Sequence, residues 1–280
     1  MKISDKTIGS NSVFIIAEIS ANHGQHFDKA VKMIESAKEC GVDAVKFQAY
    51  TPDTMTIDID NECFKIKHPQ WGGQTLYDLY KKAYTPWEWF PELKKITDDA
   101  GLIFLCSAFD SSSIDMLEEL NVAAHKIASF ELVDIPLIEY AARTGKPLIL
   151  STGMSDLDEI QDAVNAARGA GVNDITLLKC VSSYPARAED MNLATIPDMR
   201  ERFNCPIGLS DHSLGTAVSV TSAAFGASVI EKHFILSREE QTPDSFFSIE
   251  PEELKQLVED IRIAEKAIGR AHYGLTDAEE

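Results

Sequence analysis

Residues 13–48 read VFIIAEISANHGQHFDKAVKMIESAKECGVDAVKFQ, and the alternation inside this stretch decides the fold. Val13–Ile19 is a short apolar run interrupted only by Glu18, as a parallel strand covered on both faces requires. Phe27–Cys40 then places Ala30, Met33, Ile34 and Ala37 on one stripe of a helix. Gly41 follows, where a left-handed cap favours a residue without a Cβ. Ala44–Gln48 resumes the apolar strand.

The same strand-then-helix unit recurs to the end of the chain. Further strands read near Leu102–Ser107, Ala124–Ser129, Pro147–Ser151, Asp174–Cys180, Ile207–Ser210 and Val229–Phe234, which brings the total to eight, and Pro251–Ile268 closes the chain as an amphipathic helix. Gly101, Gly145 and Gly171 stand just past three other helices, as Gly41 does after the first. Eight units with no Ser/Gly-rich linker predict an α/β protein of the (β/α)8 TIM-barrel class, a single domain over residues 1–280 whose 44% hydrophobic content fills one large core. A doubly wound open sheet is the structural alternative. One connection breaks the rhythm, because Tyr50–Thr85 separates the second strand from a helix starting near Pro86, and connections this long are usually functional loops. It carries Trp71, Tyr77 and Tyr80 and is followed by Trp87 and Trp89, aromatics suited to covering a sugar or, equally, to packing on the barrel rim.

A net charge of −19 argues against nucleic acid or an anionic membrane surface as partner, since both demand a basic face. The start, Met-Lys-Ile-Ser-Asp-Lys, has no apolar signal core, and no window approaches the roughly 20 apolar residues of a membrane span. Cys40, Cys63, Cys106, Cys180 and Cys205 form no Cys-x-x-Cys pair and read as free thiols in a reducing, cytoplasmic setting.

In such a barrel the chemistry gathers at the carboxyl ends of the strands. The first strand ends in Glu18, the second in Lys46 and Gln48, two residues apart and so on one side. Ser107, Lys126 with Ser129 and Glu131, Ser151, and Lys179 followed by Ser182 and Tyr184 end the next four. The last two end in Ser210-Asp-His212 and Glu231-Lys-His233. Lysines and hydroxyls converging on one mouth in so acidic a chain indicate an anion held there, phosphate being usual on this fold. Each could also be a plain rim group. His212 and His233, 21 residues apart at the ends of adjacent strands, are either satisfied core histidines or two metal ligands that leave positions for water and substrate oxygen. That pattern suits a Lewis-acid role for manganese, iron, cobalt or zinc, with Asp211 as a supporting neighbour.

The runs Ile15-Ile-Ala-Glu18-Ile-Ser-Ala-Asn22-His23-Gly24, Asp43-Ala-Val-Lys46-Phe-Gln48, Lys126-Ile-Ala-Ser129-Phe-Glu131, Leu150-Ser151-Thr-Gly-Met154, Gly208-Leu-Ser210-Asp-His212-Ser213 and Ile230-Glu231-Lys-His233-Phe234 resemble the sialic acid synthase family. The matches extend from about Val13 to Thr276. Leu76–Ala83, Thr85-Pro86-Trp87-Glu88-Trp89, Lys179-Cys180, Glu189–Leu193 and Asp244–Ser248 are similar to the pseudaminic acid synthases more than to the N-acetylneuraminate enzymes.

The resemblance implies condensation of phosphoenolpyruvate with an open-chain amino sugar, 2,4-diacetamido-2,4,6-trideoxy-L-altrose, to give pseudaminic acid and phosphate. It implies that Lys46, Ser107, Lys126, Ser129, Ser151, Ser182 and Ser210 hold phosphoenolpyruvate, and that Gln48, Glu131, Tyr184 and Asp244 grip the sugar. His212 and His233 would hold a divalent ion, in this family typically Mn2+, and Glu18 would handle the attacking water. A homodimer is also implied. Two features depart from the family pattern: Cys106-Ser107-Ala108-Phe109 replaces the usual Ser-Thr-Pro-Phe, and the family's C-terminal antifreeze-like (SAF) domain is expected to be absent, since Glu280 follows shortly after Tyr273. Other readings left open are an N-acetylneuraminate or legionaminate synthase, a metal-dependent aldolase or shorter-sugar synthase, and a catalytically weak sugar- or phosphate-binding barrel or assembly partner.

Overall fold

The computed structural model describes residues 1–9 and 12–280. A two-stranded antiparallel ribbon, β1 (Lys2–Ile3) and β2 (Lys6–Thr7), precedes a closed barrel of eight parallel strands. These are β3 (Phe14–Glu18), β4 (Ala44–Ala49), β5 (Ile103–Ala108), β6 (His125–Ile127), β7 (Leu148–Ser151), β8 (Ile175–Cys180), β9 (Ile207–Asp211) and β10 (Val229–His233). Each strand pairs with its sequence neighbour and β10 closes on β3, so the open-sheet alternative is excluded. The fourth strand is shorter than the sequence suggests, because the chain turns at Ser129 into a 3-10 turn over Phe130–Val133.

Inside the lower barrel, Phe14, Ile16, Ala44, Leu105, Ala124, Ile149, Leu178 and Val229 form one apolar layer, and Ile3 and Ile8 of the ribbon plug it from below. The alternate strand residues face outward onto the helices. Those helices are α1 (Phe27–Cys40), α4 (Phe90–Asp99), α5 (Ser111–Glu119), α6 (Ile135–Ala142), α7 (Leu157–Gly169), α8 (Thr195–Phe203), α9 (Ala217–Ala224) and α10 (Pro251–Ile268). Gly41, Gly101, Gly145 and Gly171 all have positive φ, which is the reason glycine stands there.

The long connection after β4 is not structureless. It contains α2 (Pro52–Met55) and α3 (Leu76–Ala83), each opened by a capping box, Thr51 with Thr54 and Thr75 with Asp78. The next helix starts at Phe90, after a 3-10 turn over Trp87–Trp89. Among the described residues no helix is long and apolar enough to cross a membrane.

Candidate active site

Strand register assembles the mouth. His233 lies opposite Glu18, and Glu18 opposite Lys46. One step higher, Gln48 lies opposite Ser107, which in turn lies opposite Lys126. Because side chains alternate across a strand, Glu18, Lys46, Gln48, Ser107, Lys126, Ser151, Ser210, His212, Glu231 and His233 all project into the same space.

Two buried lysines anchor it. Lys46 Nζ sits 2.7 Å from Glu18 Oε2, donates to Ser107 Oγ at 2.9 Å, and lies 3.6 Å from Glu231 Oε1. Lys126 Nζ donates to Ser151 Oγ at 2.7 Å and to the Ile127 carbonyl at 3.1 Å. Ser210 Oγ donates to Glu231 Oε1, and Gln48 Nε2 donates to Glu18 Oε1 at 2.8 Å. Burial pushes both carboxyls up, and their neighbours then send them in opposite directions. Desolvation raises Glu18 against the pull of Lys46, whereas at Glu231 the same desolvation is outweighed by Lys126 and Lys46, which hold it down. Environments that separate two neighbouring carboxyls in this way distinguish a proton-handling group from a fixed charge.

Beyond the strand ends, Ser129 Oγ accepts from the Gly153 amide at 3.1 Å. Ser182 Oγ, Glu131 Oε2 and Glu231 Oε2 are buried without a hydrogen-bond partner among the described residues. Such groups are left for a ligand or water. Burial raises Glu131 to about 7, so it can donate as well as accept near neutrality. Lys179 does not join the cluster. It takes the alternate face of β8 from Leu178 and Cys180, and its Nζ bonds the Cys180 carbonyl at 3.2 Å.

The two histidines meet, with ring centroids 5.3 Å apart. His212 Nδ1 donates to the Val181 carbonyl at 2.8 Å, which leaves Nε2 as its lone-pair nitrogen. His233 Nδ1 lies 3.6 Å from Asp244 Oδ2. Tyr184 covers His212 at 4.4 Å, and Phe247 covers His233 at 4.7 Å. No cluster of three or more His, Cys, Asp or Glu suited to a metal occurs among the described residues. Two imidazoles are too few donors for a closed structural zinc, and as a pair they would leave the remaining positions of any bound ion to water or substrate oxygen. Of the loop aromatics, Trp71 lies 6.0 Å from Tyr184 with its Nε1 donating to Pro243 O, and Tyr80 packs edge-on against Tyr50 and feels the charge of Glu131. Trp87 bonds the Tyr50 carbonyl and Trp89 packs on His23 and Phe27, so both belong to the rim.

Asn22 and His23 knit the first mouth loop to its neighbours. Asn22 Nδ2 donates to Phe234 O and Ser248 Oγ, and its Oδ1 accepts from Thr242 Oγ1. His23 Nδ1 accepts from the Gln25 amide, so its Nε2 donates to Thr85 Oγ1 at 2.9 Å. Burial, aided by Lys29, lowers His23 to about 4. An unfolded histidine binds a proton below about 6.5, so between about pH 6.5 and 4 the unfolded chain holds the extra proton and stability falls as pH falls, by about 3 kcal/mol in all. Urea melts across that window should show a shallower pH slope for His23→Gln than for the unaltered chain. An identical slope would remove His23 as the cause.

The chain is 46% identical to the pseudaminic acid synthase of Helicobacter pylori over 91% of this chain and 75% of that protein. It is 36% identical to the N,N'-diacetyllegionaminic acid synthase of Legionella pneumophila over 96% and 77%. Among solved structures, the N-acetylneuraminic acid synthetase of Leptospira borgpetersenii, crystallised with citrate, superposes with a TM-score of 0.89 at 34% identity, covering 100% of this chain and 93% of that one. The NeuB family profile matches residues 33–273, a span that includes every mouth residue from Lys46 to His233, and the chain belongs to the NeuB family.

Proposed function

We propose that the chain condenses phosphoenolpyruvate with open-chain 2,4-diacetamido-2,4,6-trideoxy-L-altrose and water, giving pseudaminic acid and inorganic phosphate. The observation that carries this reading is two buried lysines and a set of seryl hydroxyls converging beside two imidazoles at one barrel mouth. The identity to a protein named pseudaminic acid synthase supports the choice of sugar. Lys46, Lys126, Ser107, Ser129, Ser151, Ser182 and Ser210 hold the phosphate and carboxylate of phosphoenolpyruvate, where charge-assisted bonds in a dry site are strong. Gln48, Glu131, Tyr184 and Asp244 grip the sugar. His212 and His233 hold a divalent ion, Mn2+ in this reading, which supplies Lewis-acid polarisation of the sugar aldehyde.

Carbon 3 of phosphoenolpyruvate forms the new bond to the aldehyde carbon, whose oxygen takes up a proton from solvent. Carbon 2, left cationic, is captured by water, and Glu18 receives the proton that this water loses and returns it to solvent at the end of the cycle. The resulting tetrahedral centre expels phosphate, which departs with the proton of the new C2 hydroxyl, and becomes the keto group. Glu231, held ionised by the lysines, stabilises the cationic stage at short range.

The exposed apolar side chains Phe130 and Val133 on the 3-10 turn after β6, Met154 in the loop after β7 and Leu157 at the start of α7, which packs on that turn, support action as a homodimer. Five free cysteines support a cytoplasmic setting.

The test is phosphate release from phosphoenolpyruvate with Mn2+, comparing the trideoxy sugar, N-acetylmannosamine and no sugar. Release with the trideoxy sugar alone is expected. Release with N-acetylmannosamine instead would move the chain to the neuraminate branch. Silence with every sugar, with phosphoenolpyruvate still bound in calorimetry, would leave a binding barrel. A second substitution probes the anion cradle. A Cβ at Gly153 would stand 2.3 Å from Ser182 Oγ and 2.8 Å from Ser129 Oγ, so both hydroxyls must move. Gly153→Ala is therefore expected to raise KM for phosphoenolpyruvate roughly 10-fold at a cost of about 1–3 kcal/mol in stability, the usual range for an added methyl in a filled site. An unchanged KM would take these two hydroxyls out of the anion site.

A further inference from the structure

Asp211 and Lys232 each directly precede one of the two mouth histidines and are register partners on β9 and β10. Strand alternation turns them away from the mouth, toward α9. Their side chains are 0% and 1% exposed, and Lys232 Nζ lies 2.9 Å from Asp211 Oδ2. Every lone-pair direction of the carboxylate is used. Oδ1 accepts from the Ser213 amide at 2.8 Å and from Ser213 Oγ at 2.6 Å, and Oδ2 accepts from Ser219 Oγ and from Lys232.

Lys232 Nζ also donates to the Ser213 carbonyl at 2.7 Å. His212 is thus flanked by two residues, Asp211 and Ser213, that bond to each other and are both bound by the residue preceding His233. The proposed reaction uses none of these groups. A buried ion pair adds little net stability over apolar residues of the same shape, so stability does not account for it. A fully satisfied polar network does fix a unique local geometry. Groups that orient ligand-bearing segments commonly change metal affinity 10- to 100-fold when removed.

We infer that the Asp211–Lys232 pair is a positioning device that fixes the spacing of His212 and His233, and thereby the affinity of the site for a divalent cation. The inference rests on the reading that these two imidazoles bind the ion. Its test measures free Mn2+ by electron paramagnetic resonance on the full chain without sugar, together with thermal melting. Lys232→Met is expected to weaken Mn2+ binding at least about 10-fold at temperatures well below its melting point. The double variant Asp211→Asn with Lys232→Met removes both charges at nearly constant volume, and it should recover melting temperature without recovering affinity. Ser219→Ala, which withdraws one hydroxyl from Asp211 and keeps the ion pair, should lose affinity by a smaller factor. Variants that melt earlier yet bind Mn2+ as the unaltered chain does would make the pair merely structural and overturn the inference. Failure of the underlying reading looks different. In that case His212→Ala binds Mn2+ as tightly as the unaltered chain, or the unaltered chain does not bind it, and the inference falls with it.

Discussion

Replacing Lys46 by methionine is expected to lower kcat/KM for phosphoenolpyruvate by about 10^2- to 10^3-fold and to destabilise the barrel by about 3–5 kcal/mol. The two effects have one origin. Lys46 is the cation nearest both Glu18 and Glu231, at 2.7 Å and 3.6 Å, and all three side chains are buried. Methionine fills a similar volume but takes away the one ammonium that contacts both carboxyls, leaving Glu231 to Lys126 and the two histidines and Glu18 to His233, and poorly paired buried charge is costly. In a domain of this size the loss corresponds to roughly 10 °C in melting temperature. Arginine is no substitute, because its planar fork cannot reproduce a point contact to Glu18 and Ser107 together. Ser107→Ala serves as the control, since it removes a neutral hydroxyl from the same ammonium and should cost about 1 kcal/mol. Kinetics within tenfold of the unaltered chain for Lys46→Met would show that Lys46 balances charge without binding substrate.

The barrel was legible because a parallel strand buried on both faces leaves a short apolar run, and a helix leaves a stripe that ends at glycine. Boundaries were less legible. Ser129 looks like strand in a row of apolar residues, yet the chain bends there to bring its hydroxyl to Gly153. The β1–β2 ribbon has too few apolar residues to show a period, and only Ile3 and Ile8, buried under the barrel, reveal its purpose. Helix α3 did carry a signal, the Thr75–Asp78 capping box before Leu76, hidden inside a connection that reads as loop.

At the mouth, period-two alternation was enough to group Lys46 with Gln48, Ser210 with His212 and Glu231 with His233. Composition alone was not enough to separate Lys46 from Lys179 and Lys232, three lysines near strand ends of which one faces the site. Asp244 shows the other limit. It lies 11 residues beyond His233 in a loop, and no spacing rule brings its carboxylate to the His233 ring. Partnerships such as Asp211 with Lys232 depend on which strands are neighbours in the closed barrel, information that no single strand contains.

Glu18→Gln is expected to lower kcat by about 10^2- to 10^4-fold while KM for phosphoenolpyruvate stays within about threefold, the signature of a lost proton-transfer group. Glutamine keeps the shape, and its carbonyl can still accept from Gln48 Nε2. Lys46 retains Ser107 and Glu231 as partners. The anion cradle therefore stays assembled, and what disappears is the capacity to take a proton from the water at carbon 2. Stability should move far less. Burial raises the Glu18 carboxyl above its unfolded value, so the ionised form costs the folded state free energy as pH rises above about 4.5. A neutral isostere removes that cost but also withdraws the carboxylate that favours the Lys46 ammonium, which keeps Glu231 as its remaining counter-ion, so the two effects oppose each other and the melting temperature should change little. Lost turnover at nearly constant stability would mark Glu18 as a residue kept for chemistry. A drop in melting temperature with kcat unchanged would instead make Glu18 the structural counter-ion of Lys46 and leave the water at carbon 2 to another base.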